Sequence, residues 1–293
     1  MQVDVQIVSA FIDGDSGGNP AGVVLDADAL SPAQKMAVAA QVDLSETAFV
    51  SHSDTAAFKL DFFTPTRQIA HCGHATIAAF SLLRQLGRVS DGLTSKETID
   101  GKRDILIQGE MAFMEQRAPQ YSPLAIGSDI YRRVLDSLDI SVGQLLDERP
   151  PCVVNTGNDF LIIPLRDAAT LARLEPDFLA IEELSDQLDL IGYYAFARET
   201  KRPVRVAGAR MFAPRYGIKE EAATGMAAGP LACYLRDRLG LQQTSMQIEQ
   251  GQLMPTPSPS VITVELDIGA DGKIQKLMAG GRAKSLRTLS VTV

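Results

Sequence analysis

Cys72-Gly73-His74-Ala75-Thr76-Ile77-Ala78-Ala79-Phe80-Ser81-Leu82-Leu83-Arg84-Gln85-Leu86-Gly87 is the stretch from which the fold can be read. Ala75, Ala78, Ala79, Leu82, Leu83 and Leu86 recur at helical intervals, and Gly87 supplies a stop. Ile77 and Phe80 are apolar too, so the helix is apolar nearly all round, as a central helix wrapped by strands is. Phe63-Thr64-Pro65 precedes it, and the same plan returns later as Phe212-Ala213-Pro214, Gly225 and Leu235-Arg236. Gly73 and Gly225 are 152 residues apart, and so are Leu83 and Leu235.

Two shorter echoes keep the same order. Gly18-Asn19-Pro20 before Val23-Val24 answers to Gly157-Asn158-Asp159 before Leu161-Ile162-Ile163, and Ala48-Phe49-Val50 answers to Tyr194-Ala195-Phe196. Self-similarity of this kind marks a duplicated architecture. The expected fold is α/β, two pseudo-symmetric halves each with a β-sheet around a central helix. The halves are expected at residues 1–118 and 119–285, with a last strand, 286–293, returning to the first. Within the first half, Val3–Ala10, Ala21–Leu25, Thr47–Ser51 and Phe58–Phe63 read as strands. Ser31-Pro32 reads as the cap and first turn of a helix that ends near Asp43.

Composition restricts the function. With 293 residues, 45% hydrophobic and 22% charged, the chain can bury a substantial core. A formal net charge of −8 argues against a broad nucleic-acid or anionic-membrane surface. Arg132-Arg133 and Lys201-Arg202 are short and read as solvated. No apolar run has the length of a membrane span, and Met1–Ala10 reads as a strand and not as a signal peptide. Cys72, Cys152 and Cys233 are odd in number and widely spaced, which fits a reducing cytoplasm better than a disulfide framework.

Candidates for chemistry are sought where the repeat is broken. The alignment of Ala48-Phe49-Val50 with Tyr194-Ala195-Phe196 sets Glu46 opposite Gly192. A carboxylate opening a mostly buried strand is costly unless it is paired or holds its proton, and the second state suits a general acid and base. The alternative is a residue that only caps the edge of a sheet. Both central helices open on small residues, Cys72-Gly73-His74 and Thr224-Gly225-Met226, where backbone N–H groups can approach an anion or simply pack tightly. His74 is either a substrate contact or a structural histidine; His71 reads as structural, and His52 as loop surface. Cys72 stands at a helix N-terminus, where thiols gain reactivity, but the opposite helix lacks the second thiol of a two-thiol racemase. Cys233 reads as core and Cys152 as the start of a strand. Glu220-Glu221 either hold a polar group of a ligand or complement the helix dipole. No residue set has metal-ligand spacing, and nucleotide-binding glycine motifs are absent.

Gly18-Asn19-Pro20-Ala21-Gly22-Val23-Val24, Leu44-Ser45-Glu46-Thr47-Ala48-Phe49, Phe63-Thr64-Pro65, Gly73-His74-Ala75-Thr76 and Glu220-Glu221-Ala222-Ala223-Thr224-Gly225 together resemble the PhzF-like phenazine-biosynthesis family. They run in the family's order over most of the chain, and Gly251 with Gly280-Gly281 fits its closing region. The resemblance implies the diaminopimelate-epimerase-like fold, a site in the cleft, a homodimer and a cofactor-independent isomerase without metal or nucleotide. It implies Glu46 as the proton-shuttling residue on a small carboxylate-bearing substrate, cyclic or amino-acid-derived. Asn19, Gly73, His74, Glu221, Gly225 and Met226 are then its substrate contacts. The chain departs from the family pattern at Glu221, where aspartate is usual, at Ala222 for proline and at Met226 for serine, which puts the phenazine precursor itself in doubt as substrate. Cys72-Gly73-His74-Ala75-Thr76 also resembles the first cysteine motif of proline racemases, so a single-thiol epimerase or dehydratase using Cys72 is the second hypothesis. A non-catalytic binding or scaffold protein is the third.

Overall fold

The computed structural model describes residues 1–293 and divides them into two compact units, Met1–Glu115 with Gly280–Val293, and Gln116–Ala279. The first boundary thus falls three residues before 118, and the returning segment begins at Gly280 and not at residue 286.

In the first unit the strands are β1 (Gln2–Ala10), β2 (Asn19–Val24), β3 (Thr47–Ser51), β4 (Phe58–Phe63), β5 (Gln68–Ile69), β6 (Gly92–Thr98), β7 (Gly101–Gln108) and β8 (Met111–Arg117). β1 pairs antiparallel with β2, β2 parallel with β3, β3 antiparallel with β4, and β4 parallel with β6. β6, β7 and β8 follow as an antiparallel meander. The C-terminal strand, Ile274–Thr292, pairs with both β8 and β1, so the unit closes on itself and leaves no free edge. Gly280 is where that strand passes β8: a Cβ there would run into the Ala112 carbonyl and the Phe113 ring.

Two helices complete the unit. α1 (Pro32–Val42) starts from a capping box in which Ser31 and Gln34 satisfy each other's backbone N–H, and stops at Asp43 in the left-handed region. Its Val38, Ala39 and Val42 pack with Val3, Val5 and Ile7 of β1 and with Phe49 and Phe63. A Lys35–Asp61 ion pair of 2.6 Å, buried on both sides, ties α1 to β4. α2 (Gly73–Gln85) packs against β1, β2 and β3, and every residue from Gly73 to Leu83 is buried. The all-round apolar pattern has its cause here, since no residue from Gly73 to Leu83 is left exposed.

The second unit repeats this order. After β9 (Gln120–Pro123) come β10 (Cys152–Asn155), β11 (Asp159–Pro164), β12 (Gly192–Ala197), β13 (Ala207–Ala213), β14 (Ile218–Glu221), β15 (Ser245–Gln250) and β16 (Ser260–Ile268), with the C-terminal strand as β17. β11 is parallel to β12, β12 antiparallel to β13, β13 parallel to β15, and β15 antiparallel to β16. The helices are α3 (Asp129–Asp136), α4 (Ala168–Ala172), α5 (Phe178–Gln187) and α6 (Gly225–Leu239). α3 and α5 pack with Leu161, Ile163, Tyr193 and Phe212, while α6 lies against β10, β11 and β16.

The strand registers are consistent with the correspondence between halves that the sequence echoes give. Thr47 lies opposite Gly22 and Phe63, and Tyr193 lies opposite Leu161 and Phe212. Glu46 therefore corresponds to Gly192, as the sequence alignment had it. α2 and α6 begin at the equivalent glycines, Gly73 and Gly225.

Candidate active site

Glu46 is held at the start of β3 by the parallel pairing of β2 with β3: Gly22 N–H donates to the Glu46 carbonyl at 3.1 Å. Gly22 has to be glycine for this, because a Cβ would lie 2.7 Å from Thr47 Oγ1 and 3.2 Å from a Val5 methyl carbon. At the equivalent place in the second unit, a Cβ on Gly192 would lie 2.3 Å from the Phe212 carbonyl oxygen. A side chain there would force the β12–β13 backbone to shift, so the break in the repeat has a structural reason.

The first turn of α2 brings two more groups to the Glu46 carboxylate. His74 Nε2 is 3.3 Å from Glu46 Oε2, and Cys72 Sγ is 3.6 Å from His74 Nδ1. The imidazole thus stands between a carboxylate and a thiol. Glu46, Cys72 and His74 are all buried, yet Glu46 Oε2 and His74 Nε2 each lack a hydrogen-bond partner. Unsatisfied polar atoms in a buried setting are uncommon, and a catalytic role or a bound water or ion is among the reasons for them. Gly73 opens α2 directly beside this cluster, and Asn19 is buried at the first position of β2.

The N-terminal turn of α2 has a support that the sequence reading missed. Thr76 Oγ1 donates to the Cys72 carbonyl at 2.6 Å, and Lys96 Nζ donates to Thr76 Oγ1 at 2.6 Å. Lys96 Nζ also lies 3.4 Å from His71 Nδ1 and 5.0 Å from the centre of the Phe62 ring. Lys96 is wholly buried, and that burial pulls its pKa down to about 7, aided by Arg103 and opposed by Cys72 and Asp100. Burial, with Lys96 and Arg103 nearby, likewise holds His71 well below the ordinary histidine value. No local motif announces Lys96; the parallel pairing of β4 with β6, Phe58 opposite Lys96, brings it in.

Glu221, Gly225 and Met226 belong to the second unit, at the end of β14 and the start of α6. Asn158 Nδ2 donates to Met226 Sδ at 3.8 Å. Gln250 organises this helix start: its Oε1 accepts from Thr224 N–H and the Tyr194 hydroxyl, and its Nε2 donates to the Glu221 carbonyl and Thr224 Oγ1. Glu220 has a structural role, since Arg210 binds its carboxylate bidentately at 2.8 and 2.9 Å in a buried pair. Thr224 is the N-cap of α6 as Cys72 is of α2, and its hydroxyl accepts a hydrogen bond from Gln250 Nε2. Cys233 is buried in α6 and Cys152 opens β10; burial raises both thiol pKa values. His52 is exposed in a loop beside Asp54.

The sequence spacing points to no metal-ligand set, and three potential ligand side chains nonetheless lie close together in space. Glu46, Cys72 and His74 offer one ligand atom each within 4.8 Å of one another. They are far apart or oddly spaced in sequence, so ligand spacing along the chain does not reveal them.

Duplicated strand-wrapped helices with a carboxylate–imidazole pair at one helix start define a protein of the epimerase-like α/β class. The sequence profile of the family described as phenazine biosynthesis-like protein matches residues 8–288, and the chain belongs to that family. An uncharacterized isomerase of Deinococcus radiodurans is 34% identical, with 94% of this chain and 90% of that protein covered. A trans-2,3-dihydro-3-hydroxyanthranilate isomerase of Pseudomonas chlororaphis is 31% identical over 90% of this chain and 91% of that protein. The crystal structure of a PhzF-family phenazine biosynthesis protein from Bacillus anthracis matches over the full length of both chains, with a TM-score of 0.90 and 25% identity. Membership of this family, with relatives named as isomerases, sets the activity class of the chain as isomerase.

Proposed function

We propose that Glu46 is the general acid and base of a cofactor-independent isomerase that moves a proton on a small, carboxylate-bearing substrate, cyclic or amino-acid-derived. The observation that carries this reading is the buried Glu46 carboxylate, 3.3 Å from His74, with one oxygen unsatisfied. The carboxylate takes a proton from one substrate carbon and returns it to another, so no proton is gained or lost overall and no co-reactant is required. His74 orients the carboxylate and hydrogen-bonds the substrate, and Asn19 and Gly73 complete the first unit's contacts. Glu221, Gly225 and Met226 are carried in the proposal as the second unit's substrate contacts. The Pseudomonas chlororaphis relative, named a trans-2,3-dihydro-3-hydroxyanthranilate isomerase, supports a ring acid as the substrate class, while Met226 in place of a serine hydroxyl favours a substrate with one polar group fewer.

A second reading is favoured by one specific contact, the 3.6 Å approach of Cys72 Sγ to His74 Nδ1, in which the thiol and not the carboxylate abstracts the proton. The two readings separate in a screen of small carboxylic metabolites in deuterated water, read by NMR. Deuterium uptake lost in Glu46→Gln and kept in Cys72→Ser supports the carboxylate; the converse supports the thiol. Full turnover by Glu46→Gln on an identified substrate would sink the first. The homodimer and the cytoplasmic setting belong to the same proposal; they are supported by the family resemblance and by three free thiols.

A further inference from the structure

The carboxylate, imidazole and thiol at the start of α2 make a donor set with a property beyond proton transfer. Glu46 Oε2 and His74 Nε2 face each other at 3.3 Å without a hydrogen bond, on side chains only 10% and 7% exposed. Cys72 Sγ completes a trio whose ligand atoms all lie within 4.8 Å of one another. We propose that Glu46, Cys72 and His74 form a binding site for a thiophilic divalent cation of the zinc class.

The chemistry of the donors selects that class. Sulfur, imidazole nitrogen and carboxylate oxygen together are the ligands of zinc, whereas magnesium and calcium require oxygen throughout. A thiolate and a carboxylate supply two negative charges, which cancel the charge of the cation and leave the loaded, buried cluster neutral. Metal bonds of about 2.0–2.3 Å set tetrahedral ligand atoms roughly 3.3–3.7 Å apart. The Glu46–His74 pair already has this spacing through Nε2, and the proposal requires Cys72 Sγ, which now lies 3.6 Å from the other ring nitrogen, Nδ1, to draw toward the cation from within 4.8 Å. Three protein ligands leave the fourth position to solvent, the arrangement of an open zinc site. A cation there occupies the very oxygen that Glu46 needs as a base, so zinc inhibits the isomerase. That consequence rests on the proposed function; the binding itself does not.

The test is a titration of the full chain with cobalt(II), followed by absorption spectroscopy, with zinc as competitor. The expected result is one saturable equivalent, a thiolate-to-cobalt charge-transfer band in the near ultraviolet, and visible bands bleached by zinc. Cys72→Ser is expected to abolish the charge-transfer band, and Cys72→Ser and His74→Gln are each expected to weaken zinc binding by about ten-fold or more. His52→Ala, in the exposed His52–Asp54 pair, is expected to leave binding unchanged. Absence of saturable uptake, cobalt bound without the thiolate band, or a band that survives Cys72→Ser overturns the proposal. Where a variant misfolds by circular dichroism, zinc protection of Cys72 against iodoacetamide in the unaltered chain, read by peptide mass, takes its place, and lack of protection overturns it equally. An isomerase assay indifferent to Glu46→Gln would remove the functional reading and leave the cobalt result standing.

Discussion

Glu46 and Lys96 are ordinary side chains placed by the fold in buried surroundings. With Glu46 as the proposed acid and base, Glu46→Gln keeps the shape of the side chain and removes its basicity, so kcat is expected to fall by about 10²–10⁴-fold with little change in melting temperature, measured by steady-state assay and circular dichroism. Lys96 gives a pH signature. Its pKa is about 7 in the folded chain against an ordinary value of 10.5, so between these values the unfolded chain binds more protons and stability rises with pH. The buried thiols Cys152 and Cys233 act oppositely above about pH 9, which leaves pH 7 to 8.5 as the informative window. The urea midpoint is expected to climb across that window, and the climb is expected to vanish in Lys96→Met. The break in the repeat at Glu46 was legible in the sequence because the second half has glycine in its place. Lys96 was not, because a strand lysine looks solvated until its neighbours across the sheet are known.

At the level of elements, the site depends on how closely β2 and β3 approach. Gly22→Val would force its new side chain against Thr47 and Val5, with a cost of about 1–3 kcal/mol typical of overpacking. Because Gly22 also donates to the Glu46 carbonyl, activity is expected to fall in this variant by more than the loss of folded protein explains. Activity per folded molecule, from parallel assay and urea denaturation, decides the point. A matching change in the other half, Gly192→Ala, would meet the Phe212 carbonyl and is expected to destabilise by a similar amount of about 1–3 kcal/mol while leaving the chemistry of Glu46 intact. Helix starts were legible: the Ser31-Pro32 cap and the glycines at 73 and 225 stand where they were expected. Glu220 was not, since its two readings were a ligand contact or a helix-dipole partner, and the structure shows instead a buried pair with Arg210, ten residues away across a hairpin.

For the whole molecule, the last residues are structural and not a tail. Gly280–Val293 belongs to the first unit, and residues 283–292 pair along the full length of β1, from Ala10 with Ala283 to Gln2 with Thr292. A chain ending at Ala279 would expose the edges of β1 and β8 together, so it is expected to lose the cooperative unfolding of the first unit and to aggregate, as judged by gel filtration and thermal melts. The sequence alone determined the duplication, because three echoes recur in the same order and each repeat carries the same small-residue helix start. It also determined which residue breaks the duplication, because Gly192 can be compared with Glu46 once the strands are aligned. What only the tertiary structure decided is the company Glu46 keeps. The carboxylate at position 46, the thiol at 72 and the imidazole at 74 meet because the register of β3 and the first turn of α2 are fixed by packing around that helix, and Lys96 joins their support through a parallel strand pairing. Such non-local pairings arise from the closure of the sheet, and no period or spacing along the chain encodes them.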